Sequence, residues 1–240
     1  MERLDLKKML GKLTWKHIVA ANVLILILIA GGLYLWKSAG GSYSYKKHVE
    51  KGYSFIKQEN WGAAAQEFSK ASKIRPENFD HHYGIGVAFL KLGQIDRAAV
   101  ALENAVRINP ESSGAHYSLG ITYHRMKKLD LAMREYREVL RLDPQSVQVY
   151  NSIGGIYHAQ KKYDEAIETY RKILEIKPDY FVVYLNMGFA FESKGNKQDA
   201  IKTYKEIIAK VEQSAGDKRI IAEAERRIAR LNGKKVISKK

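Results

Sequence analysis

The sequence predicts an all-α chain of stacked two-helix units behind one membrane-spanning helix. Three observations predict it. All four prolines, Pro76, Pro110, Pro144 and Pro178, stand 34 residues apart. Five glycines, Gly52, Gly86, Gly120, Gly154 and Gly188, keep the same interval. Residues 18–36, IVAANVLILILIAGGLYLW, hold no charge over nineteen positions. A fixed period of 20–50 residues marks a repeat architecture, and a long uncharged apolar run marks a span.

Residues 1–17 read as a short basic tail. The first 37 residues carry a net charge of +4. At 1.5 Å per residue, 18–36 nearly crosses a hydrocarbon core of about 30 Å. Trp15, Tyr34 and Trp36 sit at its edges, where amphipathic rings prefer the interface. The rival is a cleaved signal peptide, for which Ser38–Gly41 offers a small-residue cleavage site. Such a peptide has an apolar core of roughly 7–15 residues, so a retained anchor is the better expectation. Short tails obey the positive-inside rule best. The N-terminus is therefore expected in the cytoplasm and residues 38–240 beyond the membrane. In a bacterium this means a single-pass inner-membrane protein with its bulk in the periplasm. Residues 37–44 read as a linker.

The period divides the next stretch into five units: 45–78, 79–112, 113–146, 147–180 and 181–214. In the fourth, Val147, Tyr150, Ile153, Gly154 and Tyr157 recur at three- and four-residue steps, which is one helix face. Ala166, Ile167, Tyr170, Ile173 and Leu174 make a second face after the turn at Lys161–Asp164. Proline cannot continue a helix interior, so each proline separates one pair of helices from the next. Glycine within a helix costs about 1 kcal/mol relative to alanine. Five glycines at one phase predict a close approach by a neighbouring helix. Small residues also repeat at Ala64, Ala98, Ala132, Ala166 and Ala200, with large ones at Phe68, Leu102, Tyr136, Tyr170 and Tyr204. Small against large at fixed phase is how repeated helices interlock. Residues 215–233 read as a capping helix, with Asp217 as N-cap and an apolar stripe of Ile221, Ala224, Ile228 and Leu231. Residues 234–240 are a basic tail.

Glycine and an aromatic in the first helix, with alanine, an aromatic and proline around the second, make residues 45–214 resemble the tetratricopeptide repeat family. Departures are mild. Lys51 replaces an apolar residue, Val139, Ile173 and Ile207 replace a small one, and Glu212 stands where the fifth proline belongs. The resemblance implies a right-handed solenoid whose first helices line a concave groove for a peptide or helix. By phase, that groove is expected to present Tyr53, Lys57, Tyr83, Val87, Lys91, Tyr117, Ile121, His124, Arg125, Asn151 and His158. Lys46, Val49, Asp80, Leu185 and Phe189 complete it. Tyr53, Tyr83 and Tyr117 are expected to form one row with lysines beside it, suited to a segment with apolar and acidic groups. The Lys/Asn clamp by which some members grip acidic chaperone tails is absent.

No phosphate-binding glycine loop, nucleophile–base set or zinc-protease motif occurs, and there is no cysteine. An enzyme is not expected, nor a cofactor or metal. His48, His82 and His116 share one phase and would form a metal or pH-sensing ladder if they met. Tyr150 and Tyr184 continue that phase, which argues for a ring-filling position instead. The formal charge of +15 comes without any nucleic-acid motif, so nucleic acid is not the expected partner. The expected function is a membrane-anchored, non-catalytic scaffold or adaptor for protein partners, in the assembly or export of an envelope complex. The alternatives are an organelle-surface import receptor with cytosolic repeats, and a self-assembling array.

Overall fold

The structure is a computed structural model that describes residues 43–214 and 217–233. Among these, every regular element is a helix. The helices are α1 (43–57), α2 (Trp61–Ile74), α3 (Phe79–Lys91), α4 (Ile95–Ile108), α5 (Ser113–Arg125) and α6 (Leu129–Leu142). They continue as α7 (Val147–Ala159), α8 (Tyr163–Ile176), α9 (Val182–Lys194), α10 (Lys197–Gln213) and α11 (Lys218–Leu231). Tyr43 and Ser44, expected in a linker, already lie in α1. The expected membrane span at 18–36 and the basic tail at 234–240 lie outside the described residues. No described helix is long and apolar enough to cross a membrane.

Two local devices recur with the period. The first is the joint ahead of each proline. Arg75, Asn109, Asp143 and Lys177 close the second helices with φ between −131° and −139° and ψ between 85° and 88°. A following proline drives the preceding residue out of the helical region, so four prolines give four near-identical joints. Each joint residue still donates its backbone N–H to the carbonyl four residues back. Where Glu212 replaces the proline nothing stops the helix, and α10 runs 17 residues against 14 in α8. The second device is the turn inside each pair. Glu59, Gly93, Lys127, Lys161 and Gly195 all have positive φ, from 55° to 87°. The sequence reading missed this column, because glycine fills only two of its five places.

The chain divides at Ile85–Gly86, within α3, into two compact units. In the first, Phe68 is fully buried and a Cβ placed on Gly52 or Gly84 would lie 2.8 Å from its ring. In the second, a Cβ on Gly86 would meet Leu102 at 2.5 Å, and one on Gly120 would meet Tyr136 at 2.5 Å. Gly154 and Gly188 are pressed in the same way by Tyr170 and Tyr204. The glycine column therefore exists to seat the large residue sixteen positions on; the close approach expected there is made chiefly by that side chain. Val139, Ile173 and Ile207, the departures from a small residue, are all buried. The end of this unit packs Val183, Met187, Ala190, Tyr204, Ile207, Val211 and Ala224 into one core. Ile221, Ile228 and Leu231 of α11 cover it, and the Asp217 side chain caps α11 by accepting from Arg219 N at 2.9 Å.

Candidate partner-binding face

The helical period separates two faces of each first helix. One carries the glycine and faces its own second helix. The other carries three columns of residues at 34-residue spacing. One column is Val49, Tyr83, Tyr117, Asn151 and Leu185. Another is Tyr53, Val87, Ile121, Gly155 and Phe189. The third is Lys57, Lys91, Arg125, Ala159 and Ser193. This corrects the expected tyrosine row. Tyr83 and Tyr117 share a column, but Tyr53 belongs to the next one, in register with Val87.

In the first unit, Tyr53 is 45% exposed, with its ring edge-on to Phe68 at 5.2 Å. Partial burial, then the Asp80 carboxylate, push its phenol above the ordinary range. Tyr83 is half-buried and stacks on Phe79 at 5.5 Å, while Lys57 is exposed. Tyr53 and Tyr83 are thus anchored at one edge and available at the other.

In the second unit, Val87, Tyr117, Ile121 and His124 are half-buried, and Lys91 and Arg125 are exposed. Tyr117 leans on Tyr136 at 6.0 Å between ring centres, so part of this tyrosine serves the packing. Arg125 Nη1 donates to the Leu90 carbonyl at 3.3 Å. Further along, the face turns polar. Asn186 Nδ2 donates to Asn151 Oδ1 at 3.0 Å, and His158 Nε2 lies 2.9 Å from Ser193 Oγ. His158 also stacks on Phe189 at 4.7 Å, and burial holds its ring below the usual histidine range. Each contact joins a first helix to the next one, 35 residues on or nearly so. Asn151 and His158 therefore tie neighbouring repeats together as well as lining the face. Large apolar surface stays open on α9, where Val182 is 46% and Phe189 40% exposed.

The histidine ladder does not form. His48 Nδ1 reaches Glu67 at 2.7 Å, and His82 Nε2 reaches the Pro76 carbonyl at 2.7 Å. His116 reaches Glu135 at 2.8 Å through Nδ1 and the Pro110 carbonyl at 2.9 Å through Nε2. Each histidine is thus held by its own surroundings. Among the described residues, no group of three or more histidine, aspartate or glutamate side chains could hold a metal ion. The sequence reading overlooked the acidic partners, although Glu67 and Glu135 both stand nineteen residues after a histidine.

It also missed the polar closure of the last repeat. Glu192 sits at the end of α9 with its side chain 9% exposed. It accepts from Tyr204 Oη at 2.7 Å and pairs with Arg230 at 2.5 Å and Arg227 at 3.5 Å, both from α11. The Arg227 guanidinium also lies 4.8 Å from the Phe189 ring centre. A buried carboxylate needs such partners, and here they dock the terminal helix.

A sequence-family model described as TPR repeat matches residues 52–93 and again 154–195. Others described as tetratricopeptide repeat match 88–147 and 183–214. Two crystal structures of MamA are similar in fold. One is 24% identical with a TM-score of 0.69, covering 72% of this chain and 95% of the other. The second is 26% identical with a TM-score of 0.65, covering 68% and 96%. A tetratricopeptide repeat protein from Parabacteroides merdae is 18% identical with a TM-score of 0.71, covering 80% of this chain and 75% of that one. No curated protein matched the sequence.

Proposed function

This chain belongs to the tetratricopeptide repeat proteins through residues 52–147 and 154–214, and from that premise we propose a membrane-anchored scaffold that binds a protein segment on its first-helix face. The supporting observation is what that face presents. Apolar and aromatic side chains stand partly open on first helices, Tyr53 and Tyr83 in the first unit and Ile121, Val182 and Phe189 in the second. Basic residues accompany them, Lys57 in the first unit and Lys91 and Arg125 in the second. Large exposed apolar groups rimmed by charge are what binding faces are made of. The fitting partner is an extended or helical segment that pairs apolar side chains with carboxylates. The role is non-catalytic.

The apolar run at 18–36 supports an anchor. In this reading the N-terminal tail is cytoplasmic and the repeats lie in the periplasm, serving the assembly or export of an envelope complex. Two experiments test the proposal. The first is cross-linking and capture from membranes with the intact chain and with Tyr83→Ala/Tyr117→Ala. Loss of a specific partner in the variant, with helical content retained, supports the face. Unchanged capture overturns it. In the second, the full chain should resist alkaline carbonate extraction, and release into the supernatant would overturn the anchor.

A further inference from the structure

His81 lies on α3, one position before the column of His48, His82 and His116. Its own column runs Lys47, His81, Ala115, Val149 and Val183. The last three are fully buried apolar residues. His81 is fully buried as well, and neither ring nitrogen has a hydrogen-bond partner. It is an imidazole in a hydrophobic slot. The ring of Tyr45 from α1 meets it edge-on at 5.2 Å, and that of Phe68 from α2 stacks at 6.5 Å. Phe68 is the residue seated between Gly52 and Gly84, and its ring also carries Tyr53. His81, Phe68 and Tyr53 thus form one line of contact from core to exposed face.

The charged groups around this slot do not rescue a proton. Arg75 lies over the Tyr45 ring at 4.2 Å, so a cation already occupies that side. Burial is the main cause holding His81 below the ordinary histidine range. The Arg75 backbone, near the ring but outside hydrogen-bond geometry, and the Asp80 carboxylate oppose it, and the charges of His82 and Arg75 reinforce it. An unpaired buried charge is far more costly than a buried neutral ring.

We infer that His81 makes the first unit acid-labile, so that a proton gained there loosens the packing of α1, α2 and α3 and releases Tyr53 from its support. The regulatory part of this inference rests on reading the first-helix face as a binding surface; the lability does not. The sign follows from linkage. The unfolded imidazole takes its proton near pH 6.5 and the folded one only at lower pH. Stability is therefore full above about pH 6.5 and is lost as pH falls from there towards the folded value. One proton changes the opening equilibrium by up to about tenfold per pH unit. His48, by contrast, faces the Glu67 carboxylate at 2.7 Å.

The test is amide hydrogen exchange on the full chain at pH 7.5 and 5.5, expressed as protection relative to the free peptide. The variants are His81→Val and His81→Ala, the residues its own column uses. In the natural chain, protection of residues 45–78 should fall several-fold or more at pH 5.5, while that of 147–214 holds. Both variants should keep 45–78 protected at both pH values. Equal protection of the natural chain at the two pH values would overturn the inference, as would the same acid loss in a folded variant. Should neither variant fold, the His81 ring titration in the natural chain decides. A midpoint below the ordinary histidine range supports the proposal and an ordinary midpoint overturns it. Partner capture at the same two pH values separates the readings. Loss of protection without loss of capture sustains the lability and removes its regulatory role at Tyr53.

Discussion

Two buried histidines, one position apart in the repeat, live in opposite surroundings. Around His81, in the packing of α1 to α3, the ring lies against Tyr45 and Phe68, and both nitrogens go unanswered. Around His116, between α5 and α6, the ring meets a carboxylate and a backbone carbonyl, both acceptors. Both ring nitrogens of His116 are thus answered by an oxygen, where those of His81 meet none. The difference teaches that a repeat fixes where a side chain sits and leaves to its neighbours what that side chain does. Position 116 faces Glu135, whereas the equivalent places beside Tyr150 and Tyr184 hold Thr169 and Thr203.

The largest way to break the comparison is to take the partner from His116. Glu135→Ala takes one of the ring's two acceptors, in a site where both side chains are 6% exposed. The buried group left short of a partner costs about 1–3 kcal/mol, and the cavity left by the side chain adds to that. Urea unfolding should show a midpoint well below that of the natural chain, and a loss under about 1 kcal/mol would mean the pair is not formed.

The same contrast recurs among the tyrosines that fill the glycine seats. Tyr204 donates to Glu192, whereas the buried Tyr136 hydroxyl has no hydrogen-bond partner. Tyr204→Phe should cost about 1–3 kcal/mol, because a buried carboxylate loses a donor. Tyr136→Phe should be neutral or stabilising. Thermal melts of the two variants would reverse the argument if they moved together. Burial, the Glu192 hydrogen bond and the Glu192 charge push the Tyr204 phenol up, and burial raises Tyr136 to about 12, so neither titrates near neutrality.

A smaller effect lies at Glu67. Hydrogen bonds from Lys70 and then His48 hold its carboxyl below the usual glutamate range. Its contribution, about 1 kcal/mol, is present above the unfolded glutamate value and lost as pH falls through the folded one. Glu67→Gln should flatten the acid limb of stability between about pH 5 and pH 3. An unchanged limb would place the acid sensitivity elsewhere. The smallest effect is at the turns. Lys127 and Lys161 adopt φ of 59° and 61° where Gly93 and Gly195 serve elsewhere. Lys161→Gly should stabilise by at most about 1 kcal/mol, read as a rise in melting temperature. A fall would mean that the flexibility glycine adds to the unfolded chain outweighs the strain it relieves.

What was legible in the sequence was whatever repeated at one phase. Prolines, glycines and large residues all recur every 34 positions, the one missing proline aside, and found their structural reason in the joints and the glycine seats. The longer α10 traces to Glu212, which visibly breaks the proline column, although the sequence reading drew no helix length from it. Contacts between different phases were not legible. Nothing in a single column says that position 48 meets position 67, that Glu192 awaits two arginines of α11, or that position 81 is buried without a partner. The candidate face went astray in two different ways, one of them a matter of spacing the sequence did show. Its residues were placed on first helices by phase, but Tyr53 was set in the wrong row. The interhelix bonds of Asn151 and His158 needed the spacing between neighbouring helices.

The joints ahead of Pro110, Pro144 and Pro178 have almost the same backbone angles, and the seats behind them are built to one plan. A chain assembled from such parts carries no intrinsic length. A copied 34-residue segment inserted at the Ser146–Val147 boundary would bring its own joint and glycine seat, and the terminal α1 and α11 would be untouched. Duplication of a short stretch of gene therefore lengthens the first-helix face in whole steps without redesigning a core, which makes reach a quantity that can be altered independently of stability.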